Sequence, residues 1–186
     1  MATATHERLG EVRRRIARLE VNAQRGTADA RSRMQPYITT LRRDEESARA
    51  TAREQAAAVD ERLEQLDNEL ELAEHRVAAE FAATEDQFTD AVDAELHRWD
   101  VYLDRMQVKA AARTGIERER AETAIADLRQ RRISISKSLP DVGTAAGDGW
   151  RDAKTRVLAE LDALKSQADA AKRSLSSGPK WSRSRR

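Results

Sequence analysis

Apolar residues recur along this chain at alternating steps of three and four: Leu9, Val12, Ile16, Leu19, Ala23, Gly26 and Ala30. That spacing draws a narrow stripe down one face of a helix, and no segment alternates as a half-buried strand would. After one extra step the stripe resumes through Met34, Tyr37, Leu41 and Ala48, as a coiled-coil seam with a stutter would. Later stretches repeat it: Val59, Leu63, Leu66, Leu70, Ala73 and Val77, then Leu96, Trp99, Leu103, Met106 and Ala110. Ala121, Ile125, Leu128, Ile135 and Leu139 follow, and the last stripe runs Trp150, Ala153, Val157, Leu161, Leu164, Ala168, Ala171 and Leu175. The fold class predicted is all-α, an elongated antiparallel coiled coil or long-helix bundle of three to four helices.

Composition agrees with a seam rather than a thick core. The 39% apolar share includes 33 alanines, which leaves larger hydrophobes to fill an a/d stripe and little more. Such seams bury modest area, so self-association is expected. The first helix is expected over about Thr5 to Ala48, a middle region over Thr51 to Leu139 and a last helix over Gly149 to Leu175. The break between the last two is Pro140-Asp141-Val142-Gly143-Thr144-Ala145-Ala146-Gly147-Asp148-Gly149, rich in helix-ending residues. Thr84 and Gln87 stand at capping-box spacing ahead of Phe88. The middle region is therefore either interrupted near Thr84 or one helix of about 130 Å. From Ser176 onward the period is lost, and residues 176–186 read as a disordered basic tail.

Charge is distributed unevenly although it cancels to +1. Residues 1–50 carry a net +4, residues 51–107 a net −11 and residues 108–186 a net +8. If the chain doubles back, each basic arm can lie antiparallel beside the acidic middle, and the alternative is that these blocks are solvated faces. An offset of 87 residues also aligns Ile16 to Ser47 with Leu103 to Ser134 at ten identities in 32 positions, among them Val21 with Val108, Thr27 with Thr114 and Leu41 with Leu128. The expected organisation is a first helical repeat unit over 1–90, a second over 91–175, and the tail.

Motifs for chemistry are sparse. A di-metal carboxylate bundle needs Glu three residues before His, but Thr3, Leu72 and Ala94 precede His6, His75 and His97 at that spacing. The glycines at 143–149 lead into Trp150-Arg151 rather than the Lys-Ser/Thr of a phosphate loop. The expectation is a protein that is not an enzyme, with no catalytic residues, metal, cofactor or small-molecule substrate. The absence of cysteine leaves the redox compartment open; the opening residues lack a secretory signal and the longest apolar run is Ala56-Ala57-Ala58-Val59, so a cytoplasmic setting is expected. Trp99 and Trp150 lie on the stripe and are expected in the core. Arg13-Arg14-Arg15 sits inside the first helix. Lys180, Trp181, Arg183, Arg185 and Arg186 pair positive charge with an aromatic ring, a combination suited to nucleic acid or an anionic membrane.

The second half also resembles a known family. From Trp99 to Leu175 come Trp99-Asp100, a charged helix, Ile125-Ala126-Asp127-Leu128-Arg129-Gln130-Arg131-Arg132, and then Gly147-Asp148-Gly149-Trp150-Arg151-Asp152-Ala153-Lys154. This order resembles a bacterial family of small coiled-coil stress-response proteins, whose members carry a Ser-Gly-Asp/Glu-Ala-Trp-Glu-Asp-Leu-Lys-like element after a long charged helix. Gly149, Arg151 and Ala153 replace that element's Ala, Glu and Leu. The resemblance implies a cytoplasmic, stress-associated helical protein and no catalytic residues. The functional expectation is thus a structural or interaction protein, with a homo-oligomer or a helical protein as partner. The alternative is a peripheral binder of anionic membrane or nucleic acid acting through its basic arms and tail.

Overall fold

The described residues form six α-helices: α1 (Ala2–Gln24), α2 (Ala28–Ala52), α3 (Ala56–Phe81), α4 (Glu85–Ala111), α5 (Gly115–Thr144) and α6 (Asp148–Ser176). The computed structural model describes residues 2–52, 56–144 and 148–176, with no strand among them. The all-α class is as the spacing predicts. The helices are shorter and more numerous than three to four, however, because turns interrupt both the expected first helix and the middle region. At 1.5 Å per residue each spans about 35 to 45 Å, so the 130 Å middle helix is replaced by α3, α4 and most of α5.

Each turn has a local cause. Between α1 and α2 the chain reverses at residues 25–27, ahead of the step from Ala30 to Met34 where the seam suggested a stutter. Thr27 caps α2, its Oγ1 accepting the Ala30 N–H at 3.2 Å. Between α3 and α4, Thr84 Oγ1 accepts the Gln87 N–H at 3.3 Å and Gln87 Oε1 accepts the Ala83 N–H at 3.1 Å, so the capping residues act as their spacing predicted. Gly115 opens α5 at φ +57°, a left-handed conformation that glycine adopts without a Cβ penalty. Pro140 does not end α5, which continues to Thr144. The proline costs α5 the hydrogen bond that an N–H at 140 would give the Ser136 carbonyl, and the helix runs four residues past it.

The chain divides into two compact units, Met1–Arg98 and Trp99–Arg186. In the first, α1, α2 and α3 pack together around Val12, Ile16, Leu19, Ala23, Met34, Ile38, Leu41, Leu66, Leu70, Ala73 and Val77. Leu9, Ala48 and Leu63 form a smaller cluster. Ion pairs fix directions. Arg8 pairs with Asp67 and Arg15 with Glu74, so α1 and α3 run parallel. Arg42 pairs with Glu20 and Arg33 with Glu80, so α2 is antiparallel to both. The basic first arm does lie against the acidic middle, but only its second helix is antiparallel, because the turn at 25–27 folds the arm back on itself.

In the second unit α5 packs on α6, and Trp99, Leu103, Met106, Ile125, Leu128, Ile135, Val157, Leu161 and Leu164 are buried. Arg129 reaches Asp104 at 2.8 Å and Arg132 reaches Asp100 at 2.7 Å, which sets α5 antiparallel to the second half of α4. Burial recurs at the 87-residue offset. Leu9, Val12, Ile16, Leu19 and Ala23 are buried in α1, and Leu96, Trp99, Leu103, Met106 and Ala110 in α4. Met34, Ile38, Leu41 and Ala48 in α2 match Ala121, Ile125, Leu128 and Ile135 in α5. Among the described residues no helix is long and apolar enough to cross a membrane.

Among the described residues five polar side chains are buried with the apolar ones: Glu45, Asn68, Arg76, Glu80 and Glu95. Asn68 in α3 is shielded from solvent, and neither its Oδ1 nor its Nδ2 has a hydrogen-bond partner. An unsatisfied buried amide costs about 1 to 3 kcal/mol, so Asn68→Leu is expected to raise the urea midpoint of unfolding, whereas Asn68→Asp lowers it.

Candidate functional site

The most concentrated electrostatics lie on α3. Four of its carboxylates receive arginines from three other helices: Asp67 from Arg8, Glu74 from Arg15, Glu80 from Arg33 and Glu71 from Arg98. Arg15 Nε and Nη2 donate to Glu74 at 3.0 and 2.7 Å, with Asp67 at 3.7 Å from the same guanidinium. The hydrogen bonds to Glu74 raise the Arg15 pKa against the effect of burial. Arg33 grips Glu80 through two bonds of 2.8 and 2.9 Å. Arg42 likewise holds Glu20 at 2.8 and 2.6 Å and keeps its carboxyl below the usual range. These carboxylates are neutralised by packed guanidinium groups, which makes them structural ties. Among the described residues no group of three or more His, Cys, Asp or Glu is placed to hold a metal ion.

Two open grooves flank this network. One lies between α3 and α4, lined by His75, Ala78, Phe81, Gln87, Asp90 and Ala94. Burial, then the nearby positive charge of Arg98, pushes His75 below its ordinary value of 6.5, with Glu71 and Glu74 opposing. The unfolded chain therefore takes up this proton first, and stability present above pH 6.5 is lost as pH falls through the lower folded value. The urea midpoint is expected to fall between pH 7.5 and 5.5, and His75→Gln is expected to flatten that slope. Glu20 is held below its ordinary 4.5 and stays ionised across this window.

The second groove runs along α2 and is lined by Ala28, Arg31, Ser32, Gln35, Pro36, Thr39 and Thr40. Arg31 is the only charged side chain in that lining, on a chain whose residues are 36% charged. Pro36 lies inside the helix and lacks an N–H, which takes from the Ser32 carbonyl its usual helical donor. The face thus offers small side chains and hydroxyls beside Arg31 and Gln35. On α1, Arg13, Arg14 and Arg18 are exposed, and Glu11 receives both Arg14 and Arg18.

The residues singled out from the sequence divide among these places. Lys180, Trp181, Arg183, Arg185 and Arg186 lie outside the described residues. Trp99 is buried and meets Tyr102 edge-on at 5.5 Å. Trp150 is half-buried, with Lys154 5.7 Å from its ring centroid, rather than in the core. Of the Arg13-Arg14-Arg15 run only Arg15 turns toward α3. Neither groove was legible in the sequence, since the residues lining each form no motif; an internal Pro36 was the one available signal for the groove on α2. No family model, no curated protein and no solved structure matches this chain.

Proposed function

We propose that this chain is a non-enzymatic structural or interaction protein of the cytoplasm, stress-associated, built from two copies of one helical plan and presenting helical faces to a protein partner. The observation that carries this reading is the charge-poor groove on α2, interrupted by Pro36, in a surface otherwise crowded by paired charges. Protein interfaces are depleted of charge at their centres, and this face has that character. Affinity capture of the tagged full chain before and after stress, with protein, lipid and nucleic acid all quantified, tests it. The expected result is a stoichiometric protein partner, or a second copy, that is lost when Ser32 and Thr39 are changed to Arg. Recovery of anionic lipid or nucleic acid alone overturns it.

A second reading rests on the α1 face, where Arg13, Arg14 and Arg18 are exposed and Glu11 receives Arg14 and Arg18. In this reading the chain binds nucleic acid or an anionic membrane, with the sequence of Lys180, Trp181, Arg183, Arg185 and Arg186 supplying further charge and an aromatic ring. Such binding weakens steeply as salt rises and on removing residues 177–186. Absence of binding to RNA or anionic vesicles at low salt ends this reading.

A further inference from the structure

We propose that the exposed face of α2 pairs with the same face of a second copy of this chain, the two helices antiparallel about a two-fold axis at Pro36, an inference that rests on reading that face as an interface. Asp29, Ser32, Pro36, Thr39 and Arg43 are all exposed and recur at steps of three and four. They form a second stripe on α2, on the side of the helix away from the buried Ala30, Met34, Ile38, Leu41 and Ala48. One stripe of α2 thus enters its own bundle, and the other faces outward.

The 87-residue repeat supplies the comparison for this face. Of the groove residues, Ser32, Gln35, Pro36, Thr39 and Thr40 have as counterparts Glu119, Glu122, Thr123, Ala126 and Asp127, while Ala28 becomes Gly115 and Arg31 remains arginine as Arg118. One of these seven positions is charged on α2 and four are charged on α5. Arg118 and Glu122 satisfy each other at 2.7 Å, as neighbours on a solvated helix face do. The depletion of charge is therefore particular to α2 and is not a property of the repeated plan. Small side chains and the compact Pro36 ring let a second helix approach to about 8 to 10 Å between axes.

Charge at the two ends of the stripe selects the occupant and its direction. About an axis at Pro36, position 29 lies opposite position 43 and position 32 opposite position 40. Asp29 of each copy then meets Arg43 of the other, and Ser32 meets Thr40, an arrangement that uses one patch twice. The Arg43 side chain is 75% exposed, with Asp44 beside it at 3.8 Å. Sliding one helix by about a turn in either direction sets Asp29 against Glu46 or Arg43 against Arg25. A parallel pair sets Asp29 against Asp29 and Arg43 against Arg43. Like charges disfavour those alternatives, and the two opposite pairs fix the antiparallel register.

Sedimentation velocity of the full chain, from micromolar to hundreds of micromolar, tests the pairing. The parent chain is expected to pass from monomer to dimer. Asp29→Arg alone places two like-charge pairs in the dimer, as does Arg43→Asp alone, and each raises the dissociation constant at least about tenfold. Mixed in equal amounts, the two variants rebuild both opposite pairs across one heterodimer and recover association to within about threefold of the parent. Recovery on mixing also separates a lost contact from a lost fold. A parent chain that stays monomeric throughout overturns the proposal, even where capture of another protein that depends on Ser32 and Thr39 upholds the reading of the face. Association untouched by either single change, or no gain on mixing, overturns it too. A dimer that survives Ser32→Arg with Thr39→Arg removes both the pairing and the reading on which it rests.

Discussion

Replacing Leu70 with Ala lowers the stability of the first unit by about 2 to 5 kcal/mol, the cost of removing a packed leucine and leaving a cavity behind. Leu70 is fully shielded and belongs to the cluster formed by α1, α2 and α3, so all three helices lose contacts at once. Leu161 is buried on the stripe of α6, and Leu161→Ala carries a similar cost in the second unit. Val21→Ala, on an exposed position of α1, is expected to stay within about 0.5 kcal/mol. The three tryptophans all follow residue 98, so emission cannot follow the first unit. Far-UV circular dichroism in urea, with hydrogen exchange in α1 to α3, reads the Leu70 effect. Unchanged exchange in α1 and α2 would mean that Leu70 does not join the helices.

The second large effect is electrostatic. Arg15→Glu removes two hydrogen bonds to Glu74, of a kind that contributes about 1.5 to 3 kcal/mol when charged groups are involved. It also sets a carboxylate among Asp67, Glu71 and Glu74. A loss of about 2 to 3 kcal/mol is expected, shrinking as salt is added. Glu74→Arg in the same chain restores part of it, since the pair is rebuilt with its charges exchanged while Asp67 still faces the wrong sign. Arg13→Glu, two residues away and exposed, costs little. Equal losses for Arg13→Glu and Arg15→Glu would indicate a general charge effect rather than a positioned pair.

The difference between those two arginines also marks how much could be read from the sequence. The stripe Leu9, Val12, Ile16, Leu19 and Ala23 is buried residue by residue, because a period of 3.6 leaves no other face to hide. The cap at Thr84 was legible because its hydrogen bonds are local. The turn at 25–27 was hidden, since Ala23, Gly26 and Ala30 keep seam spacing straight through a reversal of the chain. Gly26-Thr27 carried the signal, and the identity of Thr27 with Thr114 pointed to both hairpin turns together. Complementary charge was legible as blocks. Which arginine meets which carboxylate was not, because α1 and α3 run parallel only once the first arm has folded into two helices. The grooves on α2 and between α3 and α4 depend on faces from residues without a motif, and neither can be assembled from spacing alone.

The central claim is that α1, α2 and α3 form one bundle in which α1 runs parallel to α3, and that α5 runs antiparallel to α4. The chain has no cysteine, so pairs of introduced thiols and a short bismaleimide measure this directly. Arg8→Cys with Asp67→Cys, Arg15→Cys with Glu74→Cys, and Asp104→Cys with Arg129→Cys are expected to cross-link within one chain in high yield. Arg8→Cys with Glu80→Cys, the partner an antiparallel α1 would meet, is expected to stay unlinked. Efficient linkage of that last pair, with failure of the first two, would contradict the fold on which every other inference here stands.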